Sequence, residues 1–152
     1  MTDERAQKAV TNWDKRFLGL AEHVSSWSKD PRTKVGAVIV RPNRTVVSVG
    51  YNGFPRGMTD LPPRYEDKDE KYSRIVHAEM NAILHSTEKL EGYTLYTWPF
   101  MTCDRCAVAV IQSGITRVVS PRCPEELLER WGESFKKSKE YYLEGRVAVT
   151  EL

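Results

Sequence analysis

HAEMNAILHSTEKLEGYTLYTWPFMTCDRCAVAVIQSGITRVVS, residues 77–120, alternates between two kinds of segment. HAEMNAILHSTEKL (77–90) reads as a helix, and YTLYTW (93–98), rich in aromatic and β-branched residues, as a strand. DRCAVAVIQSG (104–114) returns to helix until Gly114 ends it, and ITRVVS (115–120) is a second strand. Strands separated by helical crossovers line up in parallel, with the helices lying over the sheet.

Downstream, PEELLERWGESFKKSKEYYLEG (124–145) starts with Pro124 at the first helical position and acids in the first turn, and Gly145 closes it. Gly132 marks a point where this segment could divide into two helices. RVAVT (146–150) is a last strand. Upstream, Trp13, Phe17, Leu20, Val24 and Trp27 recur at spacings of four and three, an apolar stripe on a helix that Asp30-Pro31 stops. VGAVIVR (35–41) and TVVSVGYN (45–52) read as two strands joined through the turn-forming PNR, a hairpin. Residues 53–75 lose periodicity and read as a long loop, either functional or a solvated insertion. The expected fold class is α/β, a five-stranded mixed sheet with helices on both faces, forming one domain over residues 1–152.

With 152 residues, 40% hydrophobic and 29% charged, the chain has the make-up of a soluble globular domain. Its 23 basic and 21 acidic residues give a net charge of +2, which sets up no broad field for nucleic acid. The N-terminus MTDERAQKAVTNWDKR has no apolar core of a signal peptide, and no run is long enough to span a bilayer. The three cysteines are an odd number, with two spaced as Cys-x-x-Cys. Without an export signal this favours metal or redox chemistry and a cytoplasmic address.

Two short strings carry the chemistry: His77-Ala78-Glu79 and Cys103-Asp104-Arg105-Cys106, both at helix starts. Helix N-termini that follow strand ends on one sheet edge can converge in space. Cys103 and Cys106 lie one helical turn apart, near the positive end of a helix dipole that favours thiolate, with Thr102 placed to act as N-cap. Imidazole and thiolate are zinc ligands, and His77, Cys103 and Cys106 make three where a structural site wants four. His85 is eight helical residues from His77, about 12 Å along the axis. His23 is remote, and Cys123 is the one remaining candidate for a fourth ligand. Three ligands and an open position describe a catalytic Zn2+ whose water is acidified to a pKa of roughly 7. Glu79, two residues from a ligand, is placed to take the water's proton and deliver it to a base nitrogen and a leaving amine. His-x-Glu followed later by Pro-Cys-x-x-Cys is the signature of the zinc nucleobase deaminases, which these two strings resemble.

The chain resembles the cytidine and deoxycytidylate deaminase superfamily, and within it the dCMP deaminases. The likeness runs from about Phe17 to Val119 and rests on SKDPRTKVGAVIV (28–40), GYNGFPRG (50–57), HAEMNAI (77–83) and CDRCAVAVIQSGITRVV (103–119). It implies a three-layer αβα sandwich and hydrolysis of dCMP to dUMP, which supplies dTTP synthesis. His77, Cys103 and Cys106 match the zinc ligands and Glu79 the proton shuttle. Asn52 matches a sugar contact, a reading favoured over that of a turn residue opening the Gly53 loop. The resemblance also implies a homohexamer regulated by dCTP and dTTP, with Mg2+ accompanying a triphosphate effector. Such effectors would meet Gly50, Tyr51, Gly53 and Phe54.

The substrate-binding set expected from these readings is Asn52, Lys29, Trp98 and Ala78. Arg32, Lys34, Arg56 and Arg74 are further phosphate candidates, and Phe100, like Trp98, could stack on the pyrimidine or belong to the core. Two departures stand out. Thr102 precedes the first cysteine where the family usually has proline, and Trp27 stands where many members carry arginine. Three histidines and three cysteines are too few for a second, structural zinc. The rival readings are a deaminase of another cytosine nucleotide, dCTP or a modified dCMP; a deaminase of polymeric RNA or DNA, which the balanced charge disfavours; and a zinc-stabilised binding module, which would need Cys123 as ligand and no Glu79.

Overall fold

The computed structural model of the chain describes residues 11–152; the ten residues before Thr11, where most of the polar N-terminal stretch falls, lie outside it. The described residues form α1 (Asn12–Ser25), β1 (Gly36–Val40), β2 (Val46–Tyr51), α2 (Pro62–Glu66), α3 (Lys68–Arg74) and α4 (Ala78–His85). They continue through β3 (Thr94–Trp98), α5 (Asp104–Gln112), β4 (Arg117–Ser120), α6 (Glu125–Glu144) and β5 (Ala148–Glu151). The strands join in the order β2-β1-β3-β4-β5. β1 runs antiparallel to both β2 and β3, while β3, β4 and β5 are mutually parallel, as the alternation of helix and strand requires.

Side chains alternate across this sheet and sort the helices into layers. Ala37, Ile39, Leu95 and Val118 face α4, α5 and α6 in one apolar cluster that includes Ala82, Val110 and Tyr142. Val38, Val40, Tyr96 and Val119 face α1 in a second cluster with Phe17, Leu18, Ala21 and Val24. The result is the expected αβα sandwich, its sheet buried on both faces.

Two glycines set how close the layers come. A Cβ on Gly36 of β1 would lie 2.0 Å from the Ala21 carbonyl oxygen of α1. A Cβ on Gly50 of β2 would lie 2.3 Å from the Ala78 oxygen and 2.5 Å from the Ala82 nitrogen of α4. Gly36 pairs with both Tyr51 and Trp98, so the ends of β2 and β3 meet at one edge of the sheet.

Four expectations change in detail. α4 ends at His85, with Ser86 as its C-cap, rather than running on to Leu90. Residues 53–75 contain two short helices: Pro62 and Pro63 start α2, and the Asp67 carboxylate accepts from the Glu70 amide to cap α3. A bridge between Gly53 and Val76 closes this insertion at its base, and Phe54 stacks on Tyr65 with centroids 4.5 Å apart. α1 has a capping box at Thr11 and Asp14 but ends at Ser25, which leaves Trp27 outside the helix and 49% exposed. α6 is one continuous helix through Gly132, with Pro124 as its N-cap residue. Packing of Phe135, Ser138 and Tyr142 outweighs the roughly 1 kcal/mol cost of a mid-helix glycine. No helix among the described residues is long and apolar enough to cross a membrane.

Candidate active site

His77 and Cys103 are the N-cap residues of α4 and α5, both in extended backbone conformation. The His77 carbonyl accepts the first helical bond from Asn81 at 3.0 Å, and the Cys103 carbonyl accepts from Ala107 at 2.9 Å. Each ligand candidate therefore stands at the positive end of its helix. His77 Nδ1 lies 3.2 Å from Cys106 Sγ and 3.4 Å from Cys103 Sγ. Bond lengths of about 2.0–2.1 Å to nitrogen and 2.3 Å to sulfur at a tetrahedral angle place N and S about 3.5 Å apart, so the donor set fits zinc. These three residues form a cluster with mutual distances within 4.8 Å; Cys123 is not part of it.

The electrostatics suit a soft cation. The Cys103 thiol is lowered to about 4, first by the hydrogen bond from Cys106 and then by His77. Glu79 is 4% exposed on the wall of the same cavity, and burial raises its carboxyl above the usual range. A carboxyl held in that way can take up a proton and release it again.

The loop carrying Cys103 is braced by α6. Ser138 Oγ donates to the Thr102 carbonyl at 2.9 Å, and Tyr142 Oη meets Thr102 Oγ1 at 2.5 Å. Ser134 Oγ accepts from the Asp104 amide at 3.0 Å and donates to Asp104 Oδ1 at 2.6 Å. Thr102 is thus not the N-cap of α5; its hydroxyl is engaged by Tyr142, and a serine from another helix meets the first amide of α5. Ser134, Ser138 and Tyr142, four residues apart, form one stripe of α6. That spacing was visible in sequence, but nothing there says which loop it faces.

The cavity over the cluster is walled by Asn52, Ala78, Ile75, Phe100, Met101 and Trp131. Asn52 is 6% exposed: its Nδ2 donates to the Thr33 carbonyl at 2.8 Å and to Asp30 at 3.3 Å, and its Oδ1 accepts from Val35 at 2.9 Å. It ties the end of β2 to the 28–35 loop and forms part of the wall. Lys29 does not line the cavity; it pairs with Asp60 on the surface at 3.0 Å. Trp98 packs on the α1 side of the sheet, and Phe100 takes its place in the wall, stacked against Trp131 at 6.2 Å and tilted against Phe135 at 5.3 Å. Lys34 donates to the Ser28 carbonyl and Arg74 to the Glu70 carbonyl, and neither they nor Arg56 reach the cavity. Arg32 does, joined by Lys71, Tyr72 and Arg130, which the sequence reading did not single out.

Comparison with known proteins agrees with this geometry. Residues 11–121 match the cytidine and deoxycytidylate deaminase zinc-binding region. The chain is 44% identical over 143 residues to the uncharacterized deaminase in the luxG 3′ region of Aliivibrio fischeri, covering 94% of this chain and 95% of that one. It is 38% identical over 156 residues to a probable deoxycytidylate deaminase of Caenorhabditis elegans, covering 97% and 76%. The fold is shared with the dCMP deaminase of cyanophage S-TIM5 solved in complex with dCMP and dUMP, at a TM-score of 0.71, 23% identity and coverage of 91% and 95%. With His77, Cys103 and Cys106 gathered at the starts of two helices and Glu79 buried beside them, this chain belongs to the cytidine and deoxycytidylate deaminase family of zinc-dependent enzymes.

Proposed function

We propose that the chain is a deoxycytidylate deaminase, converting dCMP and water to dUMP and ammonia and so feeding dTTP synthesis. The observation that carries the reading is the His77, Cys103 and Cys106 cluster with Glu79 buried against it. The named activity of the C. elegans relative, and the dCMP and dUMP bound in the cyanophage structure, support the choice of substrate. His77 Nδ1 and the two sulfurs would hold the zinc, which when bound supplies Lewis acidity to a water at the cavity floor.

Glu79 does the proton work. Its carboxylate takes a proton from the attacking water and passes it to N3 of the pyrimidine as the oxygen bonds to C4; it then moves the proton of the resulting 4-hydroxyl to the 4-amino group, so that the C4–N bond breaks and ammonia leaves. Burial suits it to hold that proton between the two transfers. Ala78 and Asn52 line the cavity as substrate contacts, with Phe100 as the stacking surface that Trp98 was expected to provide. Lys29, paired at the surface, is assigned no part in binding.

Regulation by dCTP and dTTP, with Mg2+ on the triphosphate, belongs to the same reading and involves residues 50–54. Tyr51 is exposed there, its ring T-shaped against Trp27 at 6.2 Å. Gly50 is buried beneath α4 and Phe54 is stacked on Tyr65, so both would act through packing. The exposed Leu84, Val108 and Leu143 on the outer helical layer support assembly into a homo-oligomer, with a hexamer as the proposed size. Free thiols as zinc ligands support a reducing, cytoplasmic setting.

The test is ammonia release from dCMP, dCTP, deoxycytidine and CMP by the zinc-loaded protein and its Glu79→Gln variant. Expected is turnover fastest on dCMP, reduced at least about 10²–10⁴-fold in the variant, with zinc content unchanged. No turnover on any of the four, with or without added dCTP, would sink the substrate assignment.

A further inference from the structure

Besides His77 and Glu79, four charged side chains line the cavity: Asp30, Arg32, Lys71 and Arg130. Two of them cancel. Lys71 Nζ lies 2.8 Å from Asp30 Oδ2, in a pair whose side chains are 11% and 2% exposed. Asp30 has no capacity left for another cation. Its Oδ1 accepts the amides of Arg32 at 2.9 Å and Thr33 at 3.2 Å, and its Oδ2 also accepts from Asn52. Among the described residues neither Arg32 nor Arg130 makes an ion pair. The cavity therefore carries two guanidinium charges that no carboxylate neutralises.

Arg130 is also oriented in advance. Its Nη2 donates to Tyr72 Oη at 3.3 Å, and its Cζ lies 5.2 Å from the centroid of the neighbouring Trp131 ring. The Tyr72 hydroxyl, having accepted that bond, keeps its own proton to donate. A planar guanidinium presents two parallel donors, the geometry that pairs with two oxygens of a phosphate monoester, and a neutral sugar offers no charge to match it.

We infer that Arg130, with Arg32 lining the same cavity and the Tyr72 hydroxyl beside it, reads the 5′-phosphate of the substrate and sets the preference for a nucleotide over a nucleoside. The inference rests on the reading of the substrate as a cytosine nucleotide. It places the oriented guanidinium, Arg130, on α6, beyond residues 11–121 that match the family region.

The experiment compares kcat/KM for dCMP and for deoxycytidine in the zinc-loaded wild type, Arg130→Ala, Arg130→Lys and Arg32→Ala. Binding of dUMP and deoxyuridine is measured in parallel by calorimetry. Arg130→Ala is expected to lower the dCMP-to-deoxycytidine ratio about 10- to 100-fold, mainly through KM, with dUMP affinity falling alongside. Arg130→Lys recovers part of the loss, since it restores the charge but not the fork. Both arginines are exposed, so an unchanged melting temperature checks that each variant is folded. An unchanged ratio, or equal losses on both substrates, overturns the assignment while leaving the deaminase reading intact. A wild type that deaminates neither substrate overturns the substrate reading. Phosphate recognition falls with it if dUMP then binds no better to the wild type than to Arg130→Ala.

Discussion

Asp14 is 2% exposed, and both of its carboxylate oxygens are engaged. Oδ1 accepts from Tyr96 Oη at 2.6 Å and Arg117 Nη1 at 2.8 Å; Oδ2 accepts from Arg117 Nη2 at 2.9 Å and the Thr11 amide at 3.0 Å. Burial pushes this carboxyl up, but the bonds from Arg117, Tyr96 and Thr11 outweigh it and hold it below its ordinary value. A folded-state value below the unfolded one means the contribution is fully present above about pH 4 and is lost as pH falls through the folded value. Asp14→Asn is therefore expected to cost about 3 kcal/mol at pH 7, roughly 6–12 °C in melting temperature, by leaving Arg117 without its counter-charge. Calorimetry at pH 7 and below pH 4 should show the gap between wild type and variant narrowing in acid. None of this network was legible in the sequence. Asp14 sits beside an apolar stripe and reads as a solvent-facing charge, and its partner is 103 residues away. The cluster of His77, Cys103 and Cys106 with Glu79 beside it was legible because metal chemistry limits both the residue types and their spacing.

The elements show the same division. Strands and long helices announced themselves by period, whereas α2 and α3, five and seven residues long, are shorter than the window in which periodicity can be read. Lys71 and Tyr72, on α3, were missed as cavity residues for that reason. Close contact between elements is equally hidden, because a glycine in a strand does not declare what covers it. Gly50→Ala would push a methyl group into the backbone of α4, the helix that His77 caps and that carries Glu79. Expected are a loss of about 1–3 kcal/mol and weaker zinc retention in competition with a chelator. Gly132→Ala, whose nearest neighbour would be Leu128 Cβ at 3.8 Å, should instead stabilise by about 0.5–1 kcal/mol and leave zinc affinity alone. Equal behaviour of the two variants would contradict the tight contact at Gly50.

For the whole molecule, the question is how far the metal holds the fold together. Two apolar clusters, one on each face of the sheet, are built without His77, Cys103 or Cys106 and mostly from residues on other elements. Stripping zinc with a chelator is therefore expected to abolish turnover and lower the melting temperature while leaving the helical circular dichroism signal largely in place. Activity should return with about one equivalent of Zn2+ per chain. Collapse of the helical signal would instead make the metal a structural staple, as the binding-module reading requires. The layered architecture could be derived from element order alone. The placement of α6 over the cavity could not, since it depends on where a helix docks rather than on whether it forms. That docking divides authorship of the enzyme: the 77–106 segment writes the reaction, and α6 edits the guest list. Mutational drift, or laboratory selection, confined to the exposed face around Arg130 can change which molecules are admitted while the chemistry waiting inside stays the same.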